Sequence, residues 1–179
     1  MGDPPANRNN GDIGVLICDD VDAMRTLLGV VIELHAGLRV VGEARDGNEA
    51  VAEAARLQPD VILLDLSMPR RTGLDALPDI KQAAPAARVV VLSGFAASTI
   101  EADVLALGAE RYIEKGADPD LIAMTIREVA AQPPRGHDGS LTTRRRPALR
   151  GSRIAASTQV DGANQPARAG LMNDPGEER

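Results

Sequence analysis

The sequence predicts a doubly wound α/β domain built on five parallel strands. Three observations carry that prediction. Short β-branched runs alternate with amphipathic stretches of helical length from residue 13 to residue 131. The middle runs, VILLD and VVVLS, are apolar almost throughout, as strands buried on both faces are. The hydrophobic fraction is 44%, yet the chain has one Tyr, one Phe and no Trp, so the core must be aliphatic. Strands alternating with helices imply parallel pairing, right-handed crossovers and helices on both faces of the sheet.

Taken in order, the predicted strands are IGVLIC (13–18), LRVVGEA (38–44), DVILLD (60–65), RVVVLS (88–93) and RYIE (111–114). After the first strand, Met24, Leu27, Leu28 and Val31 recur at helical spacing over 22–35, with Asp22 suited to a first turn. A helix over 97–107 ends at Leu107-Gly108, where the glycine can take a left-handed conformation. The last helix, 118–131, has Asp118 as its cap, Pro119 at its first position and a stripe of Ile122, Ile126 and Val129.

Beyond Gln132 this pattern stops. PPRGHDGSLTTRRRPALRGSR and the residues after it are rich in Pro, Gly, Ser and Arg, too poor in apolar side chains to offset the entropy of ordering. The expected organisation is a disordered segment 1–11, a folded domain 12–131 and a disordered basic tail 132–179. Charge divides the same way: 12 basic and 21 acidic side chains in residues 1–131, against 8 and 5 in residues 132–179.

Several function classes drop out. A single cysteine, Cys18, leaves no internal disulfide and no Cys-rich zinc site, and its apolar surroundings mark it as a core residue. Scarce aromatics argue against nucleic-acid binding by base stacking. MGDPPANRNNGD has no apolar segment of the kind a signal peptide needs, and no stretch approaches the roughly 20 apolar residues that span a bilayer. A soluble cytoplasmic protein is expected.

In open parallel sheets, ligands bind beyond the carboxyl ends of the strands. There the sequence sets Asp19-Asp20 after the first strand, Asp65 after the third, Ser93-Gly94 after the fourth, and Tyr112 through Lys115 along the fifth. Three carboxylates brought together repel one another and call for a cation or raised pKa values. All-oxygen ligation suits a hard ion such as Mg²⁺. A lysine and a hydroxyl beside it suit the equatorial oxygens of a phosphoryl group.

Asp19-Asp20, then Asp65-x-x-Met68-Pro69-x-x-x-Gly73, then Ser93-Gly94 and Tyr112-x-x-Lys115, in this order, resemble the receiver domain of bacterial two-component response regulators. The resemblance covers about residues 12–131. It implies the CheY-like, flavodoxin-like strand order 2-1-3-4-5 and a phosphoacceptor rather than an enzyme. It assigns Asp65 as the acceptor, phosphorylated by a sensor histidine kinase. One Mg²⁺ would be held by Asp20, by Asp19 mostly through water, by Asp65 and by the backbone carbonyl of Ser67. Ser93 and Lys115 would meet the phosphoryl group, Tyr112 would be the aromatic switch, and Met68, Pro69 and Gly73 would shape the loop. Most members place a proline after the lysine; here Gly116-Ala117 follow. Lys-x-Ala resembles the NarL/FixJ-like subgroup, whose outputs are DNA-binding helix-turn-helix domains. A homodimer through the face around residues 96–131 is the further implication.

Other residues receive plainer readings. His35 and His137 are expected at the surface, and Arg70-Arg71 solvated, with kinase docking as their alternative role. Residues 141–158 resemble the opening of a NarL-type helix-turn-helix, interrupted by Pro147 and Gly151, so sequence-specific DNA binding is not expected of this tail. The competing reading is a NarL/LuxR-type DNA-binding regulator whose output segment is truncated or frame-shifted. A metal-dependent phosphohydrolase ranks last, because Ser67 stands where a second acid would be needed.

Overall fold

The computed structural model describes residues 11–94 and 96–133. The expectations about residues 1–10, His137, the tail from residue 134 and the segment 141–158 lie outside the described residues. Five strands, β1 (Ile13–Cys18), β2 (Leu38–Ala44), β3 (Val61–Leu64), β4 (Arg88–Ser93) and β5 (Arg111–Glu114), form one parallel sheet in the order β2-β1-β3-β4-β5. The helices are α1 (Asp22–Leu34), α2 (Gly47–Leu57), α3 (Gly73–Ala83), α4 (Ala97–Ala106) and α5 (Pro119–Ala130). The predicted fold class and strand order are those observed.

Alternation along the strands sorts the core into two layers. Leu16, Cys18, Ile62, Leu64, Val89 and Val91 pack with Ala50 and Ala54 of α2, Leu77 and Ile80 of α3 and Val104 of α4. Val15, Ile17, Val61, Leu63, Val90 and Leu92 pack on the other face with Leu28 and Ile32 of α1 and Ile122, Ile126 and Val129 of α5. Among the described residues the buried members of the two layers are aliphatic apart from Cys18 and Met68, with Tyr112 packed against the first. Burial pushes the Cys18 thiol pKa upward, so it remains a neutral packing group.

Two helix expectations need correcting. In α1 the inward stripe is Leu28, Val31 and Ile32, whereas Leu27 is 55% exposed, one helical step off the buried face. His35 is not a free surface residue. It is partly buried, with Nδ1 against the Val31 carbonyl at 2.6 Å and Nε2 against Asp120 at 3.1 Å. The caps of α5 are as expected: Asp118 accepts from the Asp120 amide at 2.8 Å and Pro119 opens the helix.

The amino ends of β4 and β5 meet at a buried charge cluster. Glu110 is 2% exposed. Its carboxylate accepts from the Val89 amide at 2.6 Å and pairs with Lys81 at 3.1 Å and Arg88 at 3.7 Å. Arg88 also donates to the Gln132 carbonyl at 2.9 Å, which fixes where the chain leaves α5. Removing the anion would leave a buried amide and a buried guanidinium without it. Glu110→Ala is therefore expected to destabilise the domain by about 3–5 kcal/mol. Urea unfolding, with an unchanged m-value, checks this; a loss under about 1 kcal/mol would mean the cluster contributes no more than a surface pair.

Candidate functional site

The site follows from strand register. Ile17 lies beside Leu63 and Cys18 beside Leu64 in the β1–β3 ladder. One step further, the Asp65 amide donates to the Cys18 carbonyl at 2.8 Å, so Asp19 and Asp65 leave the sheet together. Asp19 is 1% exposed and Asp65 3%, while Asp20 is exposed at the mouth. Asp19, Asp20 and Asp65 each bring one carboxylate oxygen within 4.8 Å of the others.

Lys115, just past β5, sets its ammonium between the two buried acids, 2.7 Å from Asp19 Oδ2 and 3.0 Å from Asp65 Oδ2. Burial lowers the lysine's pKa; the hydrogen bonds and charges of Asp19 and Asp65 outweigh this and hold it above the ordinary value. Its backbone amide donates to the Ser93 carbonyl at 2.8 Å, tying β5 to the end of β4. One ammonium facing three carboxylates leaves the crevice short of positive charge. Asp65 Oδ1, moreover, is buried and has no hydrogen-bond partner among the described residues. An all-oxygen donor set with an orphaned buried carboxylate oxygen fits a hard divalent cation.

Ser93 is fully buried, and Tyr112 is half-buried against the α2–α3–α4 layer, in register with Val91. Alternation puts Ser93 on the same side of β4 as Val91, so Ser93 and Tyr112 share that layer. Asp19 and Asp65 lie one residue past the ends of β1 and β3, at the carboxyl edge of the sheet.

The loop from Asp65 to α3 is tightly specified. Met68 is buried in the core, while Ser67 and Pro69 are exposed. The Gly73 amide returns to the Leu66 carbonyl at 3.0 Å, and a Cβ on Gly73 would stand 1.9 Å from the Asp65 carbonyl. Only hydrogen fits there. Thr72 caps α3 by accepting from the Asp75 amide at 3.1 Å.

Arg70 and Arg71 are not simply solvated. Arg70 adopts a left-handed conformation (φ 62°) and pairs with Asp46, while Arg71 pairs with Asp79 at 2.5 Å and offers its carbonyl to the Gly47 amide at 2.9 Å. Asp46 is buried and caps α2, accepting from the amides of Asn48 at 2.7 Å and Glu49 at 2.9 Å. The Glu49 amide is the largest cause holding its carboxyl below the ordinary value of 3.8, and Arg70 adds to it against the opposing effect of burial. Sequence reasoning missed this clamp, although Asp46-Gly47-Asn48-Glu49 carries the spacing of a helix cap.

A CheY-like sheet with an acidic cluster and a lysine at its carboxyl edge defines a class of phosphoacceptor domains. Residues 15–127 match the response regulator receiver domain family, and the chain belongs to that family. It is 34% identical over 116 residues to the chemotaxis protein CheY of Thermotoga maritima, covering 65% of this chain and 96% of that protein. It is 40% identical over 116 residues to the nitrate/nitrite response regulator protein NarP of Escherichia coli, covering 63% of this chain and 53% of that one. The CheX–CheY complex with BeF₃ and Mg²⁺ from Borrelia burgdorferi superposes with a TM-score of 0.63 at 27% identity, over 67% of this chain and 90% of that one. The chain spans about half the length of the transcriptional regulators it matches, and about a third of the protein-glutamate methylesterases. The protein is thus a receiver of two-component signalling. Among the described residues no helix is long and apolar enough to cross a membrane.

The loop geometry can be tested at two positions. Asp46→Asn keeps a cap acceptor but removes the charge that Arg70 and the helix amides favour. It should cost about 1 kcal/mol at pH 7. Because the folded-state pKa of Asp46 is depressed, its contribution is present above 3.8 and lost as pH falls through the lowered value. The gap between the two proteins' urea midpoints should therefore close towards pH 3; a gap independent of pH would assign the loss to packing. Gly73→Ala should destabilise by about 1–3 kcal/mol, since the Asp65 peptide must move. A shifted Asp65 amide resonance is the expected NMR signature, and unchanged Asp65 and Leu66 signals would show that the clash is relieved elsewhere.

Proposed function

We propose that the protein accepts a phosphoryl group on Asp65 from a sensor histidine kinase, with Mg²⁺ bound at the acidic cluster. The observation that carries this reading is Asp65 itself: a buried carboxylate at the end of a central strand, with one oxygen on Lys115 and the other without a partner among the described residues. In the reaction a carboxylate oxygen of Asp65 attacks the phosphorus of a phosphohistidine. A P–O bond forms, the P–N bond breaks, and the imidazole nitrogen leaves with the electron pair.

Asp19, Asp20, Asp65 and the Ser67 carbonyl would hold the ion, which supplies neutralisation of charge on the transferring group. The Borrelia relative carries BeF₃ and Mg²⁺ by its own description, and its similarity over 67% of this chain supports that assignment. Lys115 orients Asp65 before transfer and meets the phosphoryl oxygens after it, which requires loosening its contacts with Asp19 and Asp65. Ser93 turns toward the new group, Tyr112 moves inward behind it, and the face around residues 96–131 repacks. Exposed Leu105, Leu121 and Met124 on that face suit a partner or a second copy. Similarity to NarP supports a signalling role upstream of transcription, with the output left to protein contacts.

A small phosphodonor tests this. With Mg²⁺ the purified chain should gain one phosphoryl mass, and it should gain none with EDTA or as Asp65→Asn. Tyr112 is the only tyrosine and there is no Trp, so intrinsic emission reports that ring alone. Its emission should change with phosphorylation and stay constant in Asp65→Asn. An adduct without an emission change removes Tyr112 from the switch; an adduct that survives in Asp65→Asn removes Asp65 as the acceptor.

A further inference from the structure

Arg25 is charged, 3% exposed, and outside the acidic cluster, yet it is bound to it. From the first turns of α1 its guanidinium donates to the Asp19 backbone carbonyl at 2.8 Å, to Glu43 of β2 at 2.9 Å, and to Asp22. The Asp19 carbonyl shares a peptide plane with the Asp20 nitrogen. On one side of Asp20, then, the backbone is held by Arg25. On the other side the Val21 amide is held by Asp19 Oδ1 at 2.9 Å, and the Asp19 amide itself donates to the Ala44 carbonyl at 3.0 Å. Asp20 itself is exposed at the mouth of the crevice. Its place over the crevice is set through the two peptide planes that flank it.

We propose that Arg25 is a positioning residue for the metal site, acting on Asp20 through the Asp19–Asp20 peptide. This rests on the assignment of Mg²⁺ to the cluster. Arg25 meets three acceptors in three directions from one planar fork, which a lysine ammonium cannot reproduce from the same stem. Charge alone predicts the opposite role: a buried cation near three carboxylates opposes a second cation, so its removal would tighten Mg²⁺ binding. Positioning predicts that removal weakens it.

The experiment is calorimetric titration of the full chain with Mg²⁺ alone. Arg25→Met and Arg25→Lys should both weaken binding, by roughly ten- to a hundredfold, although one loses the charge and the other keeps it. Asp20→Ala should weaken it too, and adding Arg25→Met to Asp20→Ala should cost nothing further, because the group being positioned is gone. Thermal unfolding in EDTA reports the fold separately. If Arg25→Met does not fold, Glu43→Ala removes the acceptor of one arm of the fork at a half-exposed position and should weaken binding in the same direction. Tighter or unchanged binding in Arg25→Met, unchanged binding in Glu43→Ala where that variant must stand in, or additive losses with Asp20→Ala, overturn the proposal. If the unaltered protein binds no Mg²⁺ while its unfolding is cooperative, the metal assignment falls, and this inference with it.

Discussion

The structure depends on the pairing of β1 with β3, which brings two carboxylates out of the sheet side by side and buries both. Burying them is costly, because taking a carboxylate out of water costs several kcal/mol. Lys115 supplies the compensation and so draws the β5–α5 connection over the crevice. The compensation is incomplete: three acids, one ammonium, and a buried oxygen with no donor among the described residues. A domain with a packed aliphatic core can carry such a local deficit, and the deficit is what makes the site receptive to a cation.

The same constraint explains how tightly the chain is held around Asp65. Gly73 lies so close to the Asp65 carbonyl that α3 begins almost on top of the acceptor's own peptide. Met68 anchors the intervening loop in the core, and Arg70 crosses to the cap of α2 from a left-handed conformation. Loop, cap and helix start therefore move together or not at all. Arg25 serves the β1–α1 loop as Arg70 serves the β3–α3 loop. In both, an arginine ties a carboxylate-bearing turn to a neighbouring element.

Much of this was legible in the sequence because strands buried on both faces write themselves as apolar runs. IGVLIC, RVVVLS and RYIE coincide with β1, β4 and β5, and DVILLD differs from β3 only in its terminal aspartates. Asp60 precedes β3, its amide donating to the Gly14 carbonyl at 2.9 Å and its carboxylate accepting from the Gly14 amide at 2.8 Å. Helix faces were harder to read. Leu27 sits at a helical interval from Met24 and Val31, and period alone does not say where the buried stripe is centred. The arginine clamps were illegible for a different reason. Arg25, Arg70 and Arg71 look like surface charges until chain reversal brings Glu43, Asp46 and Asp79 to them, and a long-range partner leaves no local pattern.

The position of the acids poses a mechanical problem for the proposed switch. They stand just past the ends of β1 and β3, whereas Tyr112 lies within β5 against the α2–α3–α4 layer. On the proposed mechanism, a charge change among the acids must travel from the carboxyl edge to that ring. The backbone of Lys115 offers the route. Its side chain holds both acids, its amide holds the Ser93 carbonyl, and Tyr112 stands three residues before it on the same edge strand. Gly116, with φ at 97°, comes next and lets the chain turn without a side chain to constrain it. As an edge strand, β5 has one ladder to disturb instead of two, so it can shift at less cost to the core than β1, β3 or β4.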